Sequence, residues 1–200
     1  MKNVAVFCSG NGTNLQAIID AAKRGYIRAN LALVVCDNPG AYALERAKKA
    51  NIEIFLLTKD GFKKREDYDK EIIKKLEEKK IDLVALAGFM RIMSPHFVSK
   101  YKNRILNIHP ALLPSFKGTH GVKDALDYGV KITGPTVHFV NEGLDSGPII
   151  LQEAVEVKDG DTQETLAGRI HEKEHTIYPK AIKLLVEGKL KIEGRRVRIL

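Results

Sequence analysis

Short apolar runs and longer amphipathic stretches alternate along the first half of the chain. The runs Val4–Cys8, Leu31–Cys36, Ile52–Leu57, Leu83–Ala87 and Ile105–Ile108 have the length and apolar content of buried strands. Between them Leu15–Lys23, Tyr42–Ala50, Lys64–Lys79 and Pro95–Tyr101 read as helices. In the third, Tyr68, Ile72 and Leu76 recur every four residues and mark a buried face. Alternation of this kind predicts an α/β fold with a mostly parallel central sheet and helices on both faces. Strands at Thr136–Val140 and Pro148–Val157 are expected next, then one long helix from about Thr162 to Glu187 and a short basic tail. No repeat, linker or low-complexity segment interrupts the 200 residues, so a single domain spanning 1–200 is expected.

Ligands of open α/β sheets bind beyond the carboxyl ends of the strands. Three polar stretches fall there: Ser9–Asn14, Gly88–Arg91 and Asn107–His109. The first, Ser-Gly-Asn-Gly-Thr-Asn between strand and helix, has the setting in which backbone N–H groups and the helix dipole hold a phosphate. It is not a Walker A loop, because no lysine follows Gly12, and the dinucleotide fingerprint would need glycine where Leu15 stands. Two readings remain: a turn for a single phosphate monoester, or a turn capped by Thr13 or Asn14 that holds nothing.

Asn107 and His109 are two apart at a strand end, so their side chains share a side. An amide donor beside an imidazole suits acyl transfer, the amide for an oxyanion and the imidazole for a proton. Asp145, between Gly143 and Gly147, is expected to orient His109 and favour its protonated form, unless it only closes an Asx turn. G-x-S-x-G is absent, which favours direct transfer over an acyl-enzyme. The six histidines show no zinc-ligand spacing, His171 and His175 included, and no metal is expected.

The net charge of +8 raises the possibility of nucleic acid, but the excess is spread over amphipathic helices, for example where Glu71 and Lys75 stand at i,i+4. Solvated helix faces account for it, with a general attraction for anionic ligands left over. No apolar run nears the roughly 18 residues of a membrane span, and no signal peptide opens the chain. Cys8 and Cys36 read as buried free thiols in a reducing cytosol, so a cytoplasmic protein is expected.

The stretches SGNGTNLQAII, LAGFMRIMSP, LNIHPALLPSFKGTH, GPTVHFVNEGLDSGPIILQ and EHTIYP together resemble the phosphoribosylglycinamide formyltransferase family of folate-dependent enzymes, from Val4 to about Lys191. The resemblance implies a Rossmann-like formyltransferase fold. It also implies transfer of the formyl group of 10-formyltetrahydrofolate to the amine of glycinamide ribonucleotide in purine synthesis. By resemblance Gly12, Thr13 and Asn14 bind the ribonucleotide phosphate, and Asn107, His109 and Asp145 form the catalytic trio. Arg65, Met90, Arg91, Ile92, Met93 and Asn107 match positions lining the folate site. Residues 1–100 would then be the phosphate-binding half and 101–200 the catalytic and folate half. Small-molecule partners, no nucleic acid or membrane, and a monomer or homodimer follow.

Relatives sharing the trio fit less well. Methionyl-tRNA formyltransferase adds a C-terminal domain, and formyltetrahydrofolate deformylase has a second histidine where Pro110 stands and lacks the GNGTN turn. An amino-sugar formyltransferase has no reason for the turn. A dinucleotide oxidoreductase using Asp37, or a non-catalytic nucleotide-binding module, would be the readings outside the family.

Glu174 continues the apolar stripe Leu166, Ile170, Ile177 and Ala181 of the long helix. A carboxylate there needs a partner. Either it forms a local ion pair with Lys173 or Lys180, or it accepts hydrogen bonds from the ribose hydroxyls, with His171 near the phosphate.

Overall fold

In the computed structural model, which describes residues 1–200, the first strand decides the architecture. β1 (Lys2–Cys8) sends Val4, Val6 and Cys8 into one apolar layer and Ala5 and Phe7 into the other, so it is buried on both faces. A strand of that kind belongs at the centre of a sheet covered by helices on each side. The elements that follow are α1 (Thr13–Lys23), β2 (Ala29–Cys36), α2 (Ala43–Lys49), β3 (Ile54–Leu56), α3 (Arg65–Glu78), β4 (Leu83–Leu86), α4 (Pro95–Lys100) and β5 (Ile105–His109). The second half contains α5 (Gly121–Tyr128), β6 (Ile132–Thr133), β7 (Thr136–Phe139), β8 (Ile149–Gln152), β9 (Val155–Glu156), α6 (Gln163–Val186), β10 (Leu190–Glu193) and β11 (Arg196–Ile199).

Seven strands form the sheet in the order β3-β2-β1-β4-β5-β7-β8. The pairs among β1 to β5 are parallel, and β7 pairs antiparallel with both β5 and β8. The chain reverses its direction of travel between β1 and β4, so the turn after β1 and the loop after β4 diverge to opposite faces and leave a crevice. On one face α1, α2 and α6 pack on Val4, Val34, Ala85 and Leu106. On the other α3 and α4 pack on Ala5, Leu33, Val84 and Ile105, with Tyr68, Ile72 and Leu76 all buried. Tyr178 of α6 donates its hydroxyl hydrogen toward Leu86 O at 2.8 Å and Leu106 O at 3.1 Å, tying α6 to β4 and β5.

Several expectations need correction. β3 starts at Ile54, because Ile52 N donates to Ala47 O and so finishes α2. The run Pro148–Val157 divides into β8 and β9, and β9 leaves the main sheet to pair with β6. The basic tail is an antiparallel hairpin, β10–β11. Lys75 pairs with Glu53 at 2.9 Å and Glu78 at 3.3 Å, not with Glu71. Cys8 and Cys36 are free, buried and in register on neighbouring strands. No helix is long and apolar enough to cross a membrane.

Candidate active site

The turn after β1 ends at Gly12, which caps α1 with φ of +75°. A Cβ there would lie 2.7 Å from Ala43 Cβ and 2.9 Å from Ala43 Cα, so both the backbone conformation and the approach of α2 require glycine. No side chain caps α1, which sets aside the capped-turn reading based on Thr13 or Asn14. The N–H groups from Gly10 through Leu15 find no acceptor within the chain. Six donors at the positive end of a helix dipole are available to an anion.

The Asn14 side chain is turned instead to α6, where Nδ2 donates to Glu174 Oε2 at 2.7 Å. Glu174 is only 4% exposed, and its pairing is neither with Lys173 nor with Lys180. Burial pushes its carboxyl above the ordinary value, although the Asn14 bond and His171 pull the other way. Asn14 Oδ1 is buried without a partner. His171 is exposed one turn before Glu174. A groove of about 380 Å³ beside Thr13 is lined by His175, Arg46 and Gln16, so His175 and not His171 borders Thr13 there. The two halves of the chain therefore share the turn: Glu174 completes what Gly12, Thr13 and Asn14 begin.

At the other side of the crevice, β5 carries Asn107 and His109 on the face opposite Leu106 and Ile108. Antiparallel register sets His138 of β7 opposite Asn107 and Thr136 opposite His109, so the four share one face. Asp145 Oδ2 is 3.5 Å from His109 Nδ1, and Asp145 Oδ1 is 3.6 Å from His138 Nε2. Gly118 N also donates to Asp145 Oδ2, at 2.8 Å. The loop presenting Asp145 is tight. Asp145 has φ of +43°, and a Cβ on Gly147 would be 1.7 Å from Phe139 O.

The acceptors fix the tautomers. Phe116 O can only accept, so His109 Nε2 carries the hydrogen of their 2.8 Å bond. His138 Nδ1 likewise donates to Phe139 O at 2.8 Å, leaving Nε2 to accept from Asn107 Nδ2 at 3.2 Å. One amide hydrogen of Asn107 is thus held and the other remains for a ligand. His138 was absent from the sequence-derived site. Its signal was parity, since it lies between the inward Val137 and Phe139, but its partner depended on a register the sequence does not state.

The electrostatics revise one expectation. Burial lowers the His109 pKa, and the opposing effects of Asp145 and of the Phe116 carbonyl do not overcome it. Asp145 does favour the imidazolium, but the buried ring leans to the neutral form. Burial pushes Asp145 up, while His138, the Gly118 N–H and His109 together hold it below the ordinary carboxylate value.

Apart from Asn107, the expected folate positions occupy the loop after β4 and the start of α3, which lie within residues 1–100 and not in the half 101–200 where the folate is expected. Ser9 Oγ accepts from Met90 N at 2.9 Å, linking this loop to the turn after β1. Asp69 is buried and accepts from Ser94 N at 2.6 Å, anchoring the far end of the loop to α3. Between these ties Met90 and Ile92 are 68% and 60% exposed, while Met93 is buried. Arg91 stacks 4.0 Å over the Tyr68 ring. The loop therefore presents apolar surface and a fixed cation. Arg65 is exposed at the first position of α3. No cluster of three His, Cys, Asp or Glu side chains is placed to hold a metal.

A family profile described as formyl transferase matches residues 2–182. The chain is 46% identical over 190 residues to phosphoribosylglycinamide formyltransferase of Escherichia coli (strain K12), covering 95% of this chain and 90% of that protein. It is 44% identical over 186 residues to the Bacillus subtilis (strain 168) protein of the same name, covering 93% and 95%. Glycinamide ribonucleotide transformylase 1 from Symbiobacterium toebii superimposes with a TM-score of 0.98 at 48% identity, covering 100% of this chain and 94% of that one.

Proposed function

The chain belongs to the formyl transferase family, and from that membership we propose that it passes the formyl group of 10-formyltetrahydrofolate to the amine of glycinamide ribonucleotide in purine biosynthesis. The observation that carries the assignment to this site is the approach of Asp145 Oδ2 to within 3.5 Å of His109 Nδ1, beside an Asn107 amide with a free hydrogen.

The ribonucleotide phosphate sits on the free N–H groups of the turn, and Glu174 accepts from the ribose hydroxyls. The formyl donor lies across Met90 to Met93 with Arg65 at its outer end. The substrate amine attacks the formyl carbon, and the former carbonyl oxygen becomes negative. The second Asn107 amide hydrogen stabilises that oxygen from a fixed position, which requires no reorganisation during the step. His109 exchanges its bond to Phe116 O for the reacting groups. With its single hydrogen moved to Nδ1, facing Asp145, the neutral ring takes the amine proton on Nε2 and delivers it toward the folate nitrogen as the carbon–nitrogen bond to the donor breaks. Asp145 stabilises the transient imidazolium.

Both partners are small molecules. The protein acts in the cytoplasm as a monomer or homodimer, without nucleic acid, membrane or metal.

Absorbance at the folate chromophore, followed with and without glycinamide ribonucleotide, tests the assignment. Formyl-folate consumption should require the ribonucleotide and survive a chelator. Equal consumption without it would mark a hydrolase of the formyl donor.

A further inference from the structure

Three consecutive carbonyls of the turn after β1 are tied outward. Asn38 Nδ2 donates to Ser9 O at 3.1 Å, Ala43 N to Gly10 O at 3.1 Å, and Arg46 Nε to Asn11 O at 2.9 Å. A trans peptide is planar, so a C=O fixed on one side sends the N–H of the same unit to the other. Anchoring Ser9, Gly10 and Asn11 carbonyls on the α2 side therefore aims the N–H groups of Gly10, Asn11 and Gly12 away from α2.

Arg46 supplies the most extensive of these ties. Its Nη2 also donates to Asn11 Oδ1 at 2.8 Å and its Nη1 to Gln16 Oε1 at 3.2 Å, so one guanidinium grips both the turn and the first stretch of α1. Its face lies 4.9 Å over the Tyr42 ring, which limits its rotation. Three N–H groups of the fork are committed to three neutral oxygens. The planar guanidinium makes these bonds from three separate nitrogens in a fixed geometry, whereas the three donors of an ammonium radiate from a single nitrogen.

We propose that Arg46 is a positioning residue for the ribonucleotide phosphate: it fixes the peptide planes of the turn so that their N–H groups meet the anion, without itself being the phosphate ligand. The proposal rests on the reading that this turn holds the phosphate. Neither Arg46 nor Asn38 belongs to the trio or to the folate loop, so their effect should be confined to one substrate.

Steady-state kinetics of Arg46→Ala and Arg46→Lys, with inorganic phosphate as a competitive probe, test it. In Arg46→Ala the KM for the ribonucleotide and the inhibition constant of phosphate should rise together by roughly 5–50-fold, while kcat at saturation and the folate KM stay within about twofold. Arg46→Lys keeps the charge and loses the fork, so it should show most of the same rise. The ratio of variant to wild-type KM should not change between low and high salt, since geometry is not screened. Wild-type behaviour of Arg46→Lys, or a ratio that collapses in high salt, would make Arg46 a direct electrostatic ligand and overturn the proposal. A lower melting temperature with both KM values unchanged would overturn it too. If phosphate fails to compete with the ribonucleotide on the wild-type enzyme, the phosphate turn itself falls, and its brace with it.

Discussion

Asn14 and Glu174 stand 160 residues apart in the chain and meet in a buried hydrogen bond of 2.7 Å. The carboxylate on the apolar stripe of α6 is thus neither a packing error nor a surface ion pair. It is tied to the turn after β1, which we propose holds the phosphate, and is kept in a setting that disfavours its charge.

That setting predicts a trade between stability and binding. The folded pKa of Glu174 is raised, so its contribution to stability is full below the ordinary glutamate value near 4.5 and is lost as pH rises through the folded value. Glu174→Gln keeps an acceptor for Asn14 and removes the buried charge. Thermal melts at neutral pH should show the variant more stable by about 2–4 °C, the effect of ~1 kcal/mol in a chain of this size, and the gap should close in acid. Ribonucleotide affinity should fall by roughly 1–3 kcal/mol, with folate affinity unchanged. A gap independent of pH would refute the buried charge.

His109→Ala and Asp145→Asn should each lower kcat by roughly 10²–10⁴-fold with smaller changes in affinity, and the double variant should lose much less than the product of the two. Burial already lowers the His109 pKa and Asp145 opposes it, so Asp145→Asn should move the acid limb of the rate profile to still lower pH. A limb that moves upward contradicts the pairing.

His138 holds one Asn107 hydrogen and leaves the other free. His138→Leu should release the amide and reduce kcat, by no more than the roughly 10²–10³-fold that losing an oxyanion donor costs outright. Combined with Asn107→Ala it should add little. An independent, multiplicative loss would mean that His138 acts on the substrate by itself.

Gly12→Ala places a methyl 2.7 Å from Ala43 Cβ in a backbone region of positive φ. Denaturant unfolding should show a loss of about 1–3 kcal/mol, the range for strain at such a position. Ribonucleotide binding should weaken more than folate binding, and calorimetry with each substrate separately would expose the difference.

Most of the sheet was legible because its strands are apolar on both faces and its helices on one. Tyr68, Ile72 and Leu76 behave as their spacing requires. The helix Gly121–Tyr128 was not legible: it is short, starts at glycine, is capped by Gly129, and buries only Gly121 and Ala125. The terminal hairpin was obscured by its basic residues, although Leu190, Ile192, Val197 and Ile199 alternate as strands do. For the site, the sequence alone could set Asn107 beside His109. It offered Asp145 as one of two readings and could not bring His138 to them, because their approach depends on the register of β7 and on a glycine turn folding back. The resemblance favoured the first reading of Asp145 and left His138 unseen.

The bond between Asn14 and Glu174 also sets an order in time. During synthesis the turn leaves the ribosome long before its partner, and at about 5–20 residues per second the 160-residue gap lasts roughly 8–32 s. Throughout that interval β1 to β5 can pair, yet the wall proposed to hold the ribonucleotide does not exist. A stalled nascent chain ending before α6 should therefore carry the parallel sheet and fail to retain the ribonucleotide, which makes substrate binding a late marker of completed folding.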